Sequence, residues 1–389
     1  MKAREITYIT HNLSIGGSQK VIINLTNEAL RQNYIVNIIV LVNDLYLLSN
    51  IDSSPNLRVF TCINLPTSRG FYNRLIIGNN LFKILRRVKP PFVHSHLWQI
   101  DVFYLLLLKW FTKVKVIHTI HSPGGAYFMD SFSHRLNVYI ERAVLNLFGK
   151  IDLVVVSEET ENVVRKILRY NDTCHLIPNG IDADSFKRID NNDDVLTEDR
   201  VYFVFPSRYQ ASKGHILLFE AFKMLIRKHP DVYLVLVGIG LEENLKQAAE
   251  DFEITDRTIF YGPTSEVNKV LSKCRFGVFP SQYEGHPIAL CEMMAAGLAV
   301  VSSDIPANKF VTDGGKGALL FKHNSVEDLY IGMCKLLEDK EYSDGLGLEG
   351  QKIIREKFSA ARMFKLHTDL YDTFGEFTSG NSDKGQRTS

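Results

Sequence analysis

The sequence predicts an α/β protein of two doubly wound domains, each with a parallel sheet covered on both faces. Three observations carry this: short β-branched runs alternate with amphipathic helical stretches, the alternation breaks at a polar run and then restarts, and 389 residues exceed what one core usually organises. With 45% hydrophobic and 23% charged residues, the chain has ample apolar surface to bury, which excludes a collagen-like or wholly disordered protein.

Residues 6–10 read as the first strand, a loop with Gly16 and Gly17 follows, and Val21, Ile22, Leu25 and Ala29 recur at helical spacing. Further strands are expected at 35–42, 58–63, 92–96, 114–120 and 153–157, with helices filling the gaps. Ile177-Pro178-Asn179-Gly180 punctuates the pattern and closes a first domain of residues 1–180. The polar run DNNDDVLTEDR marks 181–200 as a linker. Strands restart at 201–206, 232–237, 258–261, 276–279 and 299–302, which gives a second domain over 201–355. Ligands of such folds lie in crevices outside the carboxyl ends of the strands. The last residues, 379–389, have almost no apolar side chain and are expected to be disordered.

Net charge is +1, but it is unevenly spread. Residues 1–175 hold 20 Lys and Arg against 12 Asp and Glu, net +8, and the remainder is net −7. The basic excess concentrates in Lys83, Arg86, Arg87 and Lys89 and in Lys109, Lys113 and Lys115, interleaved with Phe71, Tyr72, Phe82, Trp110 and Phe111. Such a set suits peripheral contact with an anionic membrane, the alternative being solvated helix ends; nucleic acid fits less well because no binding motif accompanies the charge. No apolar stretch precedes the first strand, and the longest apolar run, 102–108, falls far short of the roughly 18 residues a membrane span needs. Five cysteines, odd in number and far apart, suggest neither a bridge framework nor a zinc cluster, so a reducing cytoplasm is the expected compartment.

The segment FPSQYEGHPIALCEMMAAGLAVVSSDIP runs from a strand through a loop into a helix opened by Pro287. Glu284 lies in the loop and Glu292 on the second helical turn, so two carboxylates can reach one crevice from different depths and hold a polyhydroxylated ligand. The backbone N–H groups around Gly285, His286, Ile288 and Ala289 sit where a helix start carries free donors and partial positive charge, which suits an anion. In the plainer reading Glu284 favours the helix dipole and Glu292 is a surface residue. In PSRYQASKGH, Arg208 and Lys213 flank one strand-to-helix turn, a place where a diphosphate binds in open parallel sheets. Solvated cations at helix starts are the common alternative. The loop SIGGSQ allows close backbone approach at Gly16 and Gly17 but does not fit G-x-G-x-x-G. Val237-Gly238-Ile239-Gly240 matches in part, yet Glu242 and Glu243 would repel phosphate there, so it reads as a structural turn. His94 and His96 alternate onto one strand face without a carboxylate or thiol at ligand spacing, so no metal is expected. His121 ends a strand just before Ser122-Pro123-Gly124-Gly125, a position for a hydrogen bond to substrate or for buried packing.

Taken together, GGSQ, VIHTIHSP, IPNGID, SRYQASKG, LVGIG, IFYG and EGHPIALCE followed by MMAAGLAVVSSD resemble the retaining glycosyltransferases of family 4 over nearly the whole chain. The resemblance implies the GT-B fold: two Rossmann-like domains facing across a cleft, with a C-terminal helix within 356–378 crossing back to the N-terminal domain. It implies a nucleotide diphosphate sugar donor, expected to be a UDP-sugar, and a glycan or lipid-linked acceptor in surface polysaccharide synthesis, with no cofactor and no metal. Arg208 and Lys213 match the family's diphosphate clamp. Glu284 matches the residue on the donor sugar, Glu292 the one on the ribose, and His121 the histidine beside the transferred sugar. Gly16 and Gly17 match the glycine loop near the diphosphate and acceptor. Front-face attack, with the leaving phosphate taking the acceptor proton, is the implied mechanism; with the cysteine usage and the basic, aromatic front half, the expected location is the cytoplasm, with peripheral contact at the inner face of its membrane. This chain departs from the family with His286, where relatives usually carry Phe, and with Met293-Met294 after the second glutamate. Two other readings stay open, a nucleotide-sugar isomerase or epimerase of the same shape and a non-catalytic subunit.

Overall fold

The computed structural model describes residues 4–65, 70–97, 99–105, 108, 114–122, 132–147, 151–187, 195–197 and 199–373. The chain divides into two compact units, one formed by Met1–Ile177 with the chain from Ala361 onward, the other by Pro178–Ala360. Most of the polar run at 190–200 and the 379–389 tail lie outside the described residues, as do Lys109, Trp110, Phe111, Lys113 and the Pro123-Gly124-Gly125 stretch.

In the first unit seven parallel strands, β1 (Glu5–Thr10), β2 (Ile35–Val42), β3 (Leu57–Ile63), β4 (Phe92–Ser95), β5 (Lys115–Ile120), β6 (Asp152–Val155) and β7 (Cys174–Leu176), lie in the order β3-β2-β1-β4-β5-β6-β7. The helices α1 (Gly17–Arg31), α2 (Phe71–Val88), α3 (Phe132–Leu147) and α4 (Glu158–Lys166) fall between them in sequence. Near-continuous apolar runs such as IVNIIVLV are what a strand buried on both faces requires, and β2 is buried from its second residue on. The one polar residue in it, Asn37, is paired across the ladder: its Nδ2 donates to Glu5 Oε1 at 2.7 Å and to Thr7 Oγ1 at 3.1 Å, opposite its register partner Thr7. Ser157, expected inside a strand, instead caps α4, its Oγ accepting from Thr160 N at 3.2 Å. The three-residue β7 is too short to leave a pattern in the sequence.

Six parallel strands make the second sheet: β8 (Val201–Pro206), β9 (Val232–Val237), β10 (Thr258–Gly262), β11 (Phe276–Phe279), β12 (Ala299–Ser303) and β13 (Leu319–Phe321), in the order β10-β9-β8-β11-β12-β13. Its helices are α5 (His215–Lys228), α6 (Leu241–Asp251), α7 (Val267–Lys273), α8 (Ile288–Ala295), α9 (Pro306–Val311), α10 (Val326–Glu338) and α11 (Lys340–Lys357). Phe203 stacks on Phe276 at 4.9 Å, and Phe205 meets Phe279 edge-on at 5.8 Å, so aromatic side chains fill the centre of the sheet. Ile181, Ala183 and Phe186 are apolar and buried, so the stretch that follows Gly180 packs on this unit rather than running free.

After α11 the chain returns to the first unit as α12 (Ala360–Asp372). There Tyr371 packs on Phe92 at 4.7 Å and Phe364 on Tyr34 at 5.4 Å. The outgoing and returning segments are hydrogen-bonded to one another: Ile181 N donates to Phe358 O at 2.9 Å and Ala360 N to Ile181 O at 2.8 Å.

In the second sheet the strand order reverses between β8 and β11, and the loops that leave these two strands are tied together. Gln282 N donates to Ser212 O at 2.8 Å. Gly214 is left-handed (φ +79°), and a Cβ there would lie 2.4 Å from the carbonyl oxygen of Pro280. Gly214→Ala should therefore cost about 1–3 kcal/mol from backbone strain alone, more with the collision. Scanning calorimetry of the full chain should show a melting transition several degrees lower; an unchanged melt would mean that the two loops are not held as described.

Candidate active site

Each sheet gathers its reactive side chains at the reversal of strand order, where loops from neighbouring strands diverge and leave a crevice at the carboxyl edge. In the second unit this is the β8/β11 edge. Lys213 closes the short turn Ala211–Lys213 after β8, and Glu284 stands in the loop after β11. Lys213 Nζ donates to Glu284 Oε1 at 2.6 Å, with both side chains mostly shielded, 19% and 12% exposed. A charge-assisted bond in so sheltered a place is shorter and stronger than a surface pair. Arg208 is exposed and donates to Gln210 Oε1 at 3.3 Å; among the described residues it touches neither Lys213 nor Glu284.

The loop that carries Glu284 leads through buried Gly285 to α8, with Pro287 at its cap. The first bond of that helix runs from Cys291 N to Pro287 O, so the N–H groups of Ile288 and Ala289 precede the ladder and are open to an acceptor. Helix α8 is seated closely on the sheet because Gly277 of β11 has no side chain: a Cβ there would meet Met293 Sδ at 2.7 Å. Glu292 is 4% exposed, on the second turn. His286 is buried, its ring edge-on to Phe358 at 5.4 Å and to Phe310 at 6.3 Å, which makes it part of an aromatic cluster. Beside Lys213, His215 opens α5; burial, and then that ammonium, push it down to about 4.

The first unit repeats the arrangement at β1, β4 and β5. Gly16 caps α1 in extended conformation (φ −179°), and Gly17 begins the helix. Asn12 organises this loop, its Oδ1 accepting from Gln19 Nε2 at 3.0 Å and from Ser14 Oγ at 3.1 Å. His121, just past β5, shares a proton with His96, just past β4: Nε2 to Nδ1 is 2.8 Å and the rings stack at 5.1 Å. His94 bonds Tyr371 OH at 2.6 Å through Nδ1 and Thr119 Oγ1 at 2.7 Å through Nε2, fastening α12 to the sheet. His118 Nδ1 meets Ser95 Oγ at 3.3 Å, and His367 stacks on Tyr371. Among the described residues no three of these histidines converge as metal ligands. The one such group, His229, Cys334 and Glu338, lies elsewhere, with Lys228 and His229 already on its carboxylate.

Sequence reasoning did not find one further pair. His11, immediately after β1, holds Asp101, in the turn after β4, through Nδ1 to Oδ2 at 2.7 Å. The position of His11 at a strand end was a usable signal, whereas its partner lies 90 residues away and is set by the topology alone.

Residues 15–185 match Glycosyltransferase Family 4, and residues 186–353 match Glycosyl transferases group 1. A galactosyltransferase of Escherichia coli, UDP-Gal:alpha-D-GlcNAc-diphosphoundecaprenol alpha-1,3-galactosyltransferase, is 25% identical over 67% of this chain and 70% of its own length. An N-acetylgalactosaminyltransferase of Campylobacter jejuni that acts on N-acetylgalactosamine-N,N'-diacetylbacillosaminyl-diphospho-undecaprenol is 25% identical over 58% of this chain and 60% of its own. Among solved structures, sucrose-phosphate synthase from Thermosynechococcus elongatus superposes with a TM-score of 0.82, at 19% identity, over 96% of this chain and 100% of that one. The fold is GT-B. The chain belongs to the family 4 glycosyltransferases, and it is an enzyme of that class.

The histidine layer predicts a pH response. Burial pushes His118 down to about 4 and His121 and His367 to about 3, and it holds His94 and His96 well below the usual range. All five are therefore neutral when folded, and the unfolded chain takes up protons that the folded one refuses once the pH falls below about 6.5. Stability is full above that value and is lost as the pH drops toward 4, by up to about 1.4 kcal/mol per pH unit for each histidine, the sum being an upper bound because neighbours repel. Urea melts at pH 7.5 and 5.5 check this, and equal midpoints would contradict it.

Proposed function

We propose that the enzyme moves a hexose from a nucleotide diphosphate sugar, with a UDP-sugar the expected donor, to a glycan or lipid-linked acceptor in surface polysaccharide synthesis, keeping the anomeric configuration and needing no metal ion. The observation that carries this is the Lys213–Glu284 pair at the strand reversal of the second sheet, beside the open N–H groups of Ile288 and Ala289. Bond breaking builds negative charge on the departing diphosphate, and preorganised positive groups at that point are the largest contribution a protein can make. Lys213, Arg208 and the start of α8 supply such groups without a metal ion. When donor binds, the diphosphate takes Lys213, and Glu284 turns to the sugar hydroxyls; Glu292, deeper on α8, takes the ribose.

Two features support the acceptor class. The Escherichia coli and Campylobacter jejuni transferases above act on diphosphoundecaprenol-linked sugars. Helix α2 also presents Tyr72 and Leu75, 74% and 57% exposed, on a surface with Lys83, Arg86, Arg87 and Lys89, and the Arg86 guanidinium lies 5.2 Å from the Phe82 ring. Amphipathic basic helices of this kind bind anionic lipid surfaces without crossing them, and among the described residues no helix is long and apolar enough to cross a membrane.

Purified protein incubated with nucleotide sugars and membrane extract should yield a glycosylated acceptor; donor converted without acceptor would indicate an isomerase. Arg208→Ala should lower turnover by about 10²–10³, and a change within a few-fold would remove Arg208 from the clamp. Glu284→Gln should damage turnover more than nucleotide affinity. Flotation with anionic liposomes should carry the protein upward at low salt and less so at high salt; a protein left entirely at the bottom in both would refute membrane contact.

A further inference from the structure

In the second unit the C-terminal ends of α5 and α10 meet at a set of side chains that sugar transfer does not use. Cys334 and Glu338 are four residues apart and so share one face of α10. His229 stands just past the end of α5, and its backbone is fixed on both sides: N donates to Leu225 O at 2.8 Å, and O accepts from Val232 N at 3.3 Å. One ring nitrogen of His229, Cys334 Sγ and one carboxylate oxygen of Glu338 all lie within 4.8 Å of one another. Nε2 of His229 is already 2.9 Å from Glu338 Oε1. The Tyr330 hydroxyl is hydrogen-bonded to the Cys334 sulfur and helps to orient it. Cys334 is a buried residue, yet it lines an open crevice with Lys228, Tyr330 and Glu338, so a small ion can reach it.

The donor set decides which ion fits. An imidazole nitrogen, a thiol sulfur and a carboxylate oxygen suit zinc, whereas magnesium and calcium take oxygen ligands alone. A tetrahedral zinc ion holds its ligand atoms about 3.3–3.8 Å apart, so His229 and Glu338 need part by less than about 1 Å and Cys334 need close by no more than that. The ion then stands where a hydrogen now lies between the first two. Two helix C-termini, with their free carbonyls, make this end of the unit favourable to a cation. Three lysines line the same crevice. Lys335 covers the Tyr342 ring at 3.9 Å, and Lys340 is paired with Asp344. Lys228, with Nζ 2.6 Å from Glu338 Oε1, is the cation that competes for the carboxylate. Its side chain is 53% exposed, and an exposed pair of this kind gives way readily.

We propose that His229, Cys334 and Glu338 bind one zinc ion, with water as the fourth ligand, and that the ion ties the end of α5 to α10. Cys334 binds as the thiolate, its proton passing to solvent. Lys213 precedes the opposite end of α5, a helix of 14 residues, about 20 Å long. The ion therefore steadies the second unit and takes no part in sugar transfer.

The full chain, treated with a chelator, dialysed and titrated with zinc chloride in a calorimeter, should take up one equivalent at low micromolar concentration, and its thermal melt should rise by several degrees. Cobalt chloride in place of zinc should produce the near-ultraviolet absorption of a thiolate–cobalt bond. Cys334→Ser should abolish that absorption and weaken zinc about 10-fold or more. Glu338→Gln, on an exposed last turn, should also weaken zinc about 10-fold while leaving the metal-free melt unchanged, and it decides the matter if the serine variant fails to fold. Lys228→Met, which removes the competing ammonium, should bind zinc about 3-fold more tightly. No uptake at tens of micromolar zinc would overturn the proposal. So would uptake that Glu338→Gln leaves at full strength, since the metal would then sit on other side chains, or a weaker zinc affinity in Lys228→Met.

Discussion

A parallel sheet whose strand order reverses cannot cover its own carboxyl edge at the reversal, because the connections on either side leave in opposite directions. Both sheets of this protein have one such point, and at each point a charged or ionisable pair spans the gap, His11 to Asp101 in one and Lys213 to Glu284 in the other. The rest of the architecture serves to hold those pairs. Gly214, Gln282 and Gly277 bring the loops and α8 of the second unit to their places, and Asn12 and the Leu13–Asp44 bond do the same for the first. Chemistry grafted on strand ends can vary without touching the core, which explains how chains about one-fifth identical keep the same fold.

The sheet cores were legible in the sequence because strands buried on both faces leave uninterrupted apolar runs, as IVNIIVLV and VYFVFP do. Bounds at 35–42, 201–206, 232–237 and 276–279 coincide with the strands found. The edge strands β7 and β13, three residues each, leave no such signal. Glu284 and Lys213 were legible as a loop carboxylate and a turn cation, but their pairing was not, since 71 residues separate them and only the β8/β11 neighbourhood brings them together. Arg208 shared a motif with Lys213, yet its side chain turns outward to Gln210. Residue type was readable for His286 as well, while its burial against Phe310 and Phe358 depends on the return of the chain after α11.

The histidines of the first unit show the same division between type and setting. A count along the sequence reveals His94, His96, His118 and His121 near strand ends, where a hydrogen bond to substrate and buried packing are both open readings for His121. The structure makes most of them a neutral, hydrogen-bonded layer beneath α12: His94 between Tyr371 and Thr119, His96 against His121.

That last helix also orders events during synthesis. The first sheet leaves the ribosome without α12, so Phe92, Tyr34 and His94 lack their partners Tyr371 and Phe364 until residues beyond Ala360 arrive, after the whole second unit has been made. At about 5–20 residues per second that interval is on the order of 10–40 s. The C-terminal unit, continuous in sequence, can close before the N-terminal one is finished, so a nascent chain stalled near its end would present a completed rear half and a front half with its aromatic seat open to chaperones.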